Sequence, residues 1–371
     1  MLYKKINFKN FSIPANNKIV KKDLKQFLRN KDELIKSLSK EYKYRYSNKL
    51  IKKLNKFKNI KIIGMGGSIL GSKAIYDFLP IKVKKKFFFI KNLKQDKIIK
   101  NNKKNLNLII SKSGNTIETL TNVEIFLKKN DKNLFITENK DNKLKKLAQK
   151  LKSDVVEHNN FIGGRYSVLS EVGMLPAELM GLKSAKFKNY NQLVNNNFFI
   201  NNLVKNVSRT LKLYKSGKHI SIILNYDEKS DSLFKWYQQL IAESLGKKSH
   251  GILPVISTMP MDNHSLMQLY LDGPKKFFYT FFQVLQKGTI NSKAQKILYS
   301  QKLATENVFK RKNIPFRSFE VLERSEEVMG TLFSFFMLET ILIGRALNVN
   351  PFDQPSVELI KNETKKIIRQ V

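Results

Sequence analysis

Residues 59–71 read NIKIIGMGGSILG, and this stretch decides the fold. A short run rich in isoleucine ends at residue 64, glycines follow, and a helical pattern of apolar residues comes next. The same order recurs at 105–110, where an apolar run leads into SKSGNT and a helix, and at 133–137. Strands that alternate with helices predict parallel βαβ units.

The second half of the chain repeats this pattern. Predicted strands lie at 219–225, 251–257, 276–285 and 315–321, and predicted helices lie near 198–214, 233–245, 292–312 and 328–347. We therefore predict an α/β fold of two αβα sandwich domains with parallel sheets, at 51–190 and 191–348. A helical segment at 1–50 precedes them, and a C-terminal helix lies in 349–371. No Pro- or Ser-rich linker separates the domains, so we expect them to pack tightly.

Composition excludes several kinds of site. The 371 residues contain no cysteine, which excludes disulfides, thiolate zinc sites and a cysteine nucleophile. Only 4 histidines are present, which disfavours a multi-histidine metal centre. We expect neither a metal nor another cofactor.

The net charge is +39, from 69 Lys and Arg against 30 Asp and Glu. Such a charge suits nucleic-acid or anionic-membrane binding. However, the lysines are spread along the whole chain, which favours a compositional bias over a nucleic-acid-binding face. Anionic substrates would still gain from this field.

Nothing in the sequence suggests a membrane protein. The N-terminus has no apolar leader. The apolar stretch 328–347 is interrupted by Glu339 and Arg345, so it predicts a buried helix and not a membrane span. We expect a cytoplasmic protein.

Two loops are candidate anion sites. In GMGGSILG (64–71), small residues around Gly67 and Ser68 would let backbone N–H groups approach an anion. Ile69 excludes the G-x-G-x-x-G fingerprint, and a tight strand-to-helix turn explains this loop equally well. The second loop offers three hydroxyls and an ammonium at a helix start, which favours phosphate over simple helix capping. Its candidate ligands are Ser111, Lys112, Ser113 and Thr116.

Candidate catalytic residues follow further along the chain. Arg165 stands after two glycines, Gly163 and Gly164, and could stabilise an oxyanion or be an ordinary surface arginine. Gln239 and Glu243 share a helix face, and a carboxylate there could act as a general base. The residues alone favour a solvated glutamate at this position.

Two further segments have less specific chemistry. His264 stands at a predicted helix start and could be an acid or base, although a lone histidine is more often structural. Gln354 and Lys361 belong to a C-terminal segment that begins a helix, and in so lysine-rich a chain Lys361 alone indicates nothing.

Taken together, these segments resemble the glucose-6-phosphate isomerase family, over roughly residues 60–361 and in the family's order. Residues 163–176 match its G-G-R-[FY]-S-V-L-S-x-V-G-L-L-P signature, with Met174 for a leucine. Residues 352–361 match F-D-Q-x-x-V-E-x-x-K, and 64–71 match G-I-G-G-S-x-L-G with Met65 for Ile. Among its members the chain is most similar to the short bacterial type.

The resemblance implies a role for each matching residue. Glu243 would be the base that moves a proton between C1 and C2, Arg165 would stabilise the enediolate, and Lys361 would assist at the ring oxygen. His264 would open the ring from the partner subunit of a homodimer. The implied substrate contacts are Gly67, Ser68, Ser111, Lys112, Ser113, Thr116, Gly164, Gln239 and Gln354. The implied fold is two sugar-isomerase domains.

The sequence departs from the family pattern in two places. The phosphate loop commonly reads S-K-T-F-T-T, whereas SKSGNT is similar to bifunctional phosphoglucose/phosphomannose isomerases. The segment before His264 lacks the G-E-P-G-T-N-G-Q-H of the larger members. A rival from another class, a sugar-phosphate sensor that binds nucleic acid, lacks a helix-turn-helix or basic arm, so specific nucleic-acid binding is not expected.

Overall fold

Two five-stranded sheets with helices packed on them form the chain. The computed structural model describes residues 1–29, 33–80, 83–93, 105–128, 131–285 and 292–370. The strands are β1 (Ile6–Lys9), β2 (Asn59–Ile63), β3 (Lys86–Ile90), β4 (Leu106–Ile110), β5 (Lys132–Thr137), β6 (Asp154–Glu157), β7 (Ile220–Asn225), β8 (Leu253–Thr258), β9 (Phe277–Val284) and β10 (Phe316–Val321).

The helices account for most of the remaining chain. They are α1 (Lys18–Arg29), α2 (Glu33–Leu38), α3 (Asn48–Leu54), α4 (Gly67–Phe78), α5 (Ile117–Phe126), α6 (Lys143–Lys150), α7 (Glu171–Leu179), α8 (Ser184–Phe187), α9 (Tyr190–Val194), α10 (Asn197–Lys215), α11 (Asp231–Leu245), α12 (Met267–Asp272), α13 (Lys293–Arg311), α14 (Glu326–Ala346) and α15 (Pro355–Ile368). Short 3₁₀ turns lie at Gly164–Leu169, Glu228–Ser230 and Met261–Asn263.

The first sheet has the strand order β3-β2-β4-β5-β6, and all its pairs are parallel. Every residue of β2 and of β4 is buried. Both strands are almost continuously apolar because helices cover the two faces of the sheet. This confirms the predicted parallel α/β architecture of the first half.

The second sheet has the order β1-β10-β9-β7-β8. Strands β7 to β10 are parallel and follow the same spatial order as β2 to β5, so the two halves share one topology. The fifth position differs, because β1 from the N-terminus pairs antiparallel with β10, with Ile6 opposite Val321.

Strand β1 corrects the prediction of a helical segment over residues 1–50. Helices α1 to α3 do lie there, but Ile6–Lys9 belongs to the second sheet. Four residues are too few to establish a period of two, and the partner strand lies more than 300 residues away. Strands β3 and β6 were missed as well; β6 has the same short length of four residues.

Helix α14 is the centre of the second domain. Its length and composition would allow it to cross a membrane, but 94% of its most apolar window is buried inside the structure. The expectation of a buried helix over 328–347 is therefore confirmed. Glu339, which interrupts the apolar run, is itself buried.

The two domains meet through α4 and α11, which pack against each other. Polar contacts flank this packing. Ser232 Oγ donates to Asp77 Oδ2 at 2.5 Å, and Arg324 bridges Asp227 Oδ1 at 2.5 Å and the carbonyl oxygen of Phe78 at 3.2 Å. The contacts support the expected tight packing and fix the crevice between α4, α11 and the ends of the first sheet.

A buried ion pair joins Arg317 of β10 to Glu339 of α14, and both side chains are 1% exposed. We expect Glu339→Gln to lower the free energy of unfolding by about 3 kcal/mol, since it leaves the guanidinium charge buried without its counter-charge. Urea unfolding would measure the loss, and Glu363→Gln at an exposed pair with Lys366 is the control. Equal stability of the two variants would contradict the prediction.

Candidate active site

The site begins where β2 and β4 end, side by side. A Cβ added to Gly64, the residue after β2, would lie 2.9 Å from the carbonyl oxygen of Ile110, the last residue of β4. The connection after β2 crosses to β3, whereas β4 and β5 extend the sheet in the opposite direction. Ligands of open α/β sheets bind at such a switch point, at the carboxyl ends of the strands.

The glycine turn allows two segments to touch. Gly66 has φ +52°, and a Cβ on Gly67 would lie 2.1 Å from the carbonyl oxygen of Gly164. The start of α4 therefore rests directly on the turn that carries Arg165. No side chain caps α4 at this end, and Ser68 in its first turn is half-buried.

The second loop, residues 111–116, gathers hydroxyls at the start of α5. Thr116 is the N-cap residue, yet its side chain does not cap the helix and lies instead 3.0 Å from Ser111 Oγ. Ser113 is exposed at the tip of the loop. The helix-capping alternative is thus not realised, and the N-terminus of α5 stays open to an anion.

Lys112 adds an ammonium to this loop. Its Nζ donates to the carbonyl oxygen of Asn160 at 2.7 Å and lies 3.6 Å from Glu138 Oε1. Burial lowers the pKa of Lys112, the carboxylate of Glu138 raises it, and the positive charges of Lys140 and Arg165 lower it further. Because Asn160 lies shortly before Arg165 in the chain, the bond from Lys112 to Asn160 places the loop beside the segment that carries the arginine.

Arg165 is 2% exposed, so it is not a surface arginine. A guanidinium has five N–H donors. Nε donates to Ser244 Oγ at 2.8 Å. Nη1 donates to Gln354 Oε1 at 2.7 Å and lies 3.3 Å from Glu243 Oε1. Nη2 donates to the carbonyl oxygens of Pro351 at 2.7 Å and Asp353 at 2.8 Å. Four of these contacts are hydrogen bonds and the fifth is the ion pair with Glu243, so the side chain is fixed by its partners and not by the flexible glycines before it.

Glu243 lies on α11 in the same crevice. Its side chain is 17% exposed, so the expectation of a solvated glutamate is wrong. Gln239 Nε2 donates to Glu243 Oε2 at 2.8 Å and packs against Gly66. Gln239 Oε1 is buried with no hydrogen-bond partner among the described residues.

Three positioning residues were missed in the sequence. Ser244 Oγ accepts from Arg165 and lies 3.0 Å from the hydroxyl of Tyr166. Trp236 Nε1 donates to the carbonyl oxygen of Arg165 at 3.1 Å. Burial raises the pKa of Tyr166 to about 12, so its hydroxyl stays protonated and can donate. No spacing rule indicates these contacts, because they join turns and helices from different domains.

Two predicted residues lie apart from this group. His264 is exposed and follows the 3₁₀ turn after β8, and its backbone N–H bonds to Met261. Lys361 pairs with Glu358 at 2.6 Å on α15, a helix that buries none of its described residues. In the single chain, neither is brought into contact with Arg165 or Glu243 by any described hydrogen bond or ion pair.

Comparison with known proteins identifies the family. The family model described as phosphoglucose isomerase matches residues 15–310. The chain belongs to this family. It is 34% identical over 350 residues to a glucose-6-phosphate isomerase of Methanocaldococcus jannaschii, which covers 86% of each chain. It is 31% identical to a glucose-6-phosphate isomerase of Campylobacter jejuni, over 84% of this chain and 85% of that one.

Solved structures share the fold. A crystal structure of a hypothetical protein from Thermus thermophilus aligns with a TM-score of 0.79 and 22% identity, over 94% of each chain. A glucose-6-phosphate isomerase from Chlamydia trachomatis aligns with a TM-score of 0.74 and 20% identity, over 96% of this chain and 78% of that one. Membership of the phosphoglucose isomerase family and the predicted α/β fold with parallel sheets are therefore confirmed.

The contact between Gly67 and Gly164 can be tested. Gly67→Ala should lower the free energy of unfolding by about 2 kcal/mol or more, since the new methyl group meets backbone atoms that cannot move aside. Gly163→Ala is the control, because its Cβ would meet nothing closer than 3.6 Å. Urea midpoints would measure both variants, and a Gly67→Ala midpoint at or above that of Gly163→Ala would contradict the close contact.

Proposed function

We propose that this chain catalyses the reversible isomerisation of D-glucose 6-phosphate and D-fructose 6-phosphate. The observation that carries the proposal is the ion pair between Glu243 Oε1 and Arg165 Nη1, 3.3 Å apart. Lys112 of the 111–116 loop bonds to Asn160, in the segment that leads to Arg165. The relatives named glucose-6-phosphate isomerase support it.

The chemistry needs a base beside a stable positive charge. Glu243 would take the proton from C2 of the open-chain aldose and return it to C1. An enediolate oxygen bound beside Glu243 would take the place of a carboxylate oxygen on Arg165 Nη1. The other guanidinium donors stay fixed by their partners, so the charge is oriented before the reaction begins.

Substrate groups away from C1 and C2 would be held by the rest of the crevice. The phosphate would bind the hydroxyls of Ser111, Ser113 and Thr116, the ammonium of Lys112 and the open end of α5. The sugar would lie against Gly67, Ser68 and Gly164, with Gln239 and Gln354 as hydroxyl partners. Binding of the remote phosphate positions the sugar for proton transfer. No metal or other cofactor is needed for this route.

Ring opening would use His264 and Lys361, which make no described hydrogen bond or ion pair with Arg165 or Glu243. His264 is exposed, and we propose that it acts in the site of a second copy, in a homodimer. The exposure of Met261 (65%) and Leu269 (46%) on either side of His264 supports an interface there, because exposed apolar side chains gain from burial. Lys361 would assist at the ring oxygen. We expect the enzyme to act in the cytoplasm.

A second substrate, D-mannose 6-phosphate, is the alternative that the loop favours. Residues 113–116 read SGNT. Gly114 has φ +64°, and a Cβ added there would lie 1.9 Å from Asn142 Oδ1. A bulkier residue could not stand there without displacing the Asn142 side chain. Initial rates on mannose 6-phosphate and fructose 6-phosphate would distinguish a bifunctional enzyme from a strict one.

We expect Glu243→Gln to lower kcat by about a thousandfold or more, since the amide cannot accept the proton. Binding of sorbitol 6-phosphate, measured by calorimetry, should change little. Glu228→Gln, at an exposed carboxylate before α11, is the control. Turnover of Glu243→Gln within tenfold of the control would contradict the assignment of the base.

Mixing two inactive variants tests the shared site. Chains with Glu243→Gln and chains with His264→Asn, unfolded together and refolded, should recover about a quarter of wild-type activity if each site combines the two chains. Half of the dimers would be mixed, and one of their two sites would be intact. Absence of recovery, with dimers present by sedimentation, would place His264 outside the partner's site.

A further inference from the structure

Lys112 is held by the last residue of β5, Thr137, and by the next residue, Glu138. The backbone N–H of Glu138 donates to the carbonyl oxygen of Lys112 at 3.1 Å, and Thr137 Oγ1 donates to the same oxygen at 3.3 Å. The Glu138 carboxylate then lies 3.6 Å from Lys112 Nζ. The end of β5 thus orients the backbone of this residue, and Glu138 together with the carbonyl oxygen of Asn160, 2.7 Å from Nζ, orients its ammonium.

The two partners differ in exposure. The side chain of Glu138 is 7% exposed, whereas that of Lys112 is 32% exposed. Lys112 is therefore the more accessible member of the pair, and a ligand would reach its ammonium before the carboxylate. Lys140 also pairs with Glu138. Lys112, Lys140 and Glu138 together therefore carry a net positive charge.

We propose that Glu138 is a positioning residue of the anion loop: it aims the ammonium of Lys112 at the phosphate of the substrate. This rests on the proposed isomerase function. The sequence motif of the loop ends before Glu138, and none of the family signatures discussed above includes it.

The charged and titratable groups around Lys112 set the expected pH dependence. They are Glu138, Lys140, Arg165 and His158. Burial lowers the pKa of His158 to about 4, so this imidazole is neutral in the assay range and does not compete for Glu138. Burial lowers the pKa of Lys112, and Glu138 opposes that shift. Without Glu138 the ammonium would lose its proton at lower pH.

The test compares Glu138→Gln with Asp141→Asn. Asp141 is three residues away, 77% exposed and paired with Lys146, so its substitution removes the same charge from the same loop without touching Lys112. For Glu138→Gln we expect KM for fructose 6-phosphate to rise about tenfold at pH 8.5, with kcat within about threefold of wild type. For Asp141→Asn both constants should stay near wild type.

The pH profile separates positioning from a general loss of structure. KM of Glu138→Gln should begin to rise at lower pH than KM of wild type, since the phosphate is already a dianion above about pH 7 and only the protein group titrates. A structural defect would move kcat and the urea midpoint instead. If Glu138 only diminished the positive charge, its removal would strengthen phosphate binding, and a lower KM in Glu138→Gln would overturn the proposal.

Calorimetry with sorbitol 6-phosphate distinguishes this inference from the proposed function. Weaker binding to Glu138→Gln than to Asp141→Asn supports the role of Glu138, whatever the catalytic rate. Equal binding to both variants overturns it, even if wild type is a fully active isomerase. A wild type that binds sorbitol 6-phosphate but does not turn over fructose 6-phosphate would contradict the proposed function alone.

Discussion

The buried guanidinium of Arg165 is the constraint on which the site depends. A charge removed from water is costly unless every donor finds an acceptor. Here the acceptors come from α11 and from the turn before α15, while the arginine itself follows β6. The need to satisfy one group therefore fixes three distant parts of the chain relative to one another, and the carboxylate of Glu243 is set beside the positive charge as a result.

The net charge of +39 has little to do with this arrangement. Most lysines are exposed and distributed over the surface, whereas the charges proposed to meet the phosphate and the enediolate are one partly buried ammonium, Lys112, and one buried guanidinium, Arg165. Burial makes these two charges effective because the local dielectric constant is low, and it also makes them dependent on partners. The overall field would attract phosphorylated substrates, but recognition requires the oriented groups.

The two sheets share the order of four parallel strands and differ in the fifth strand. The first sheet ends in the parallel strand β6, and the second ends in β1, which is antiparallel and comes from the N-terminus. An unpaired edge at β10 would expose backbone hydrogen-bonding groups, and β1 satisfies them. Among the described residues, the glycine turn and the proposed anion loop lie at the switch point of the first sheet, and Glu243 and Gln239 come from α11, the helix that packs on α4.

From its sequence alone this protein could be assigned its fold class, most of its helices and parallel strands, and the loops that carry Gly67, Lys112 and Arg165. These features are local: strand and helix periods, glycines at turns and hydroxyls at a helix start occupy neighbouring positions in the chain. The tertiary structure decided that β1 closes the second sheet, that Arg165 pairs with Glu243, and that Ser244 contacts Arg165 while Glu138 contacts Lys112. Those contacts join residues from about 26 to more than 300 positions apart, and their partners are chosen by burial and by hydrogen-bond satisfaction, which no local pattern encodes.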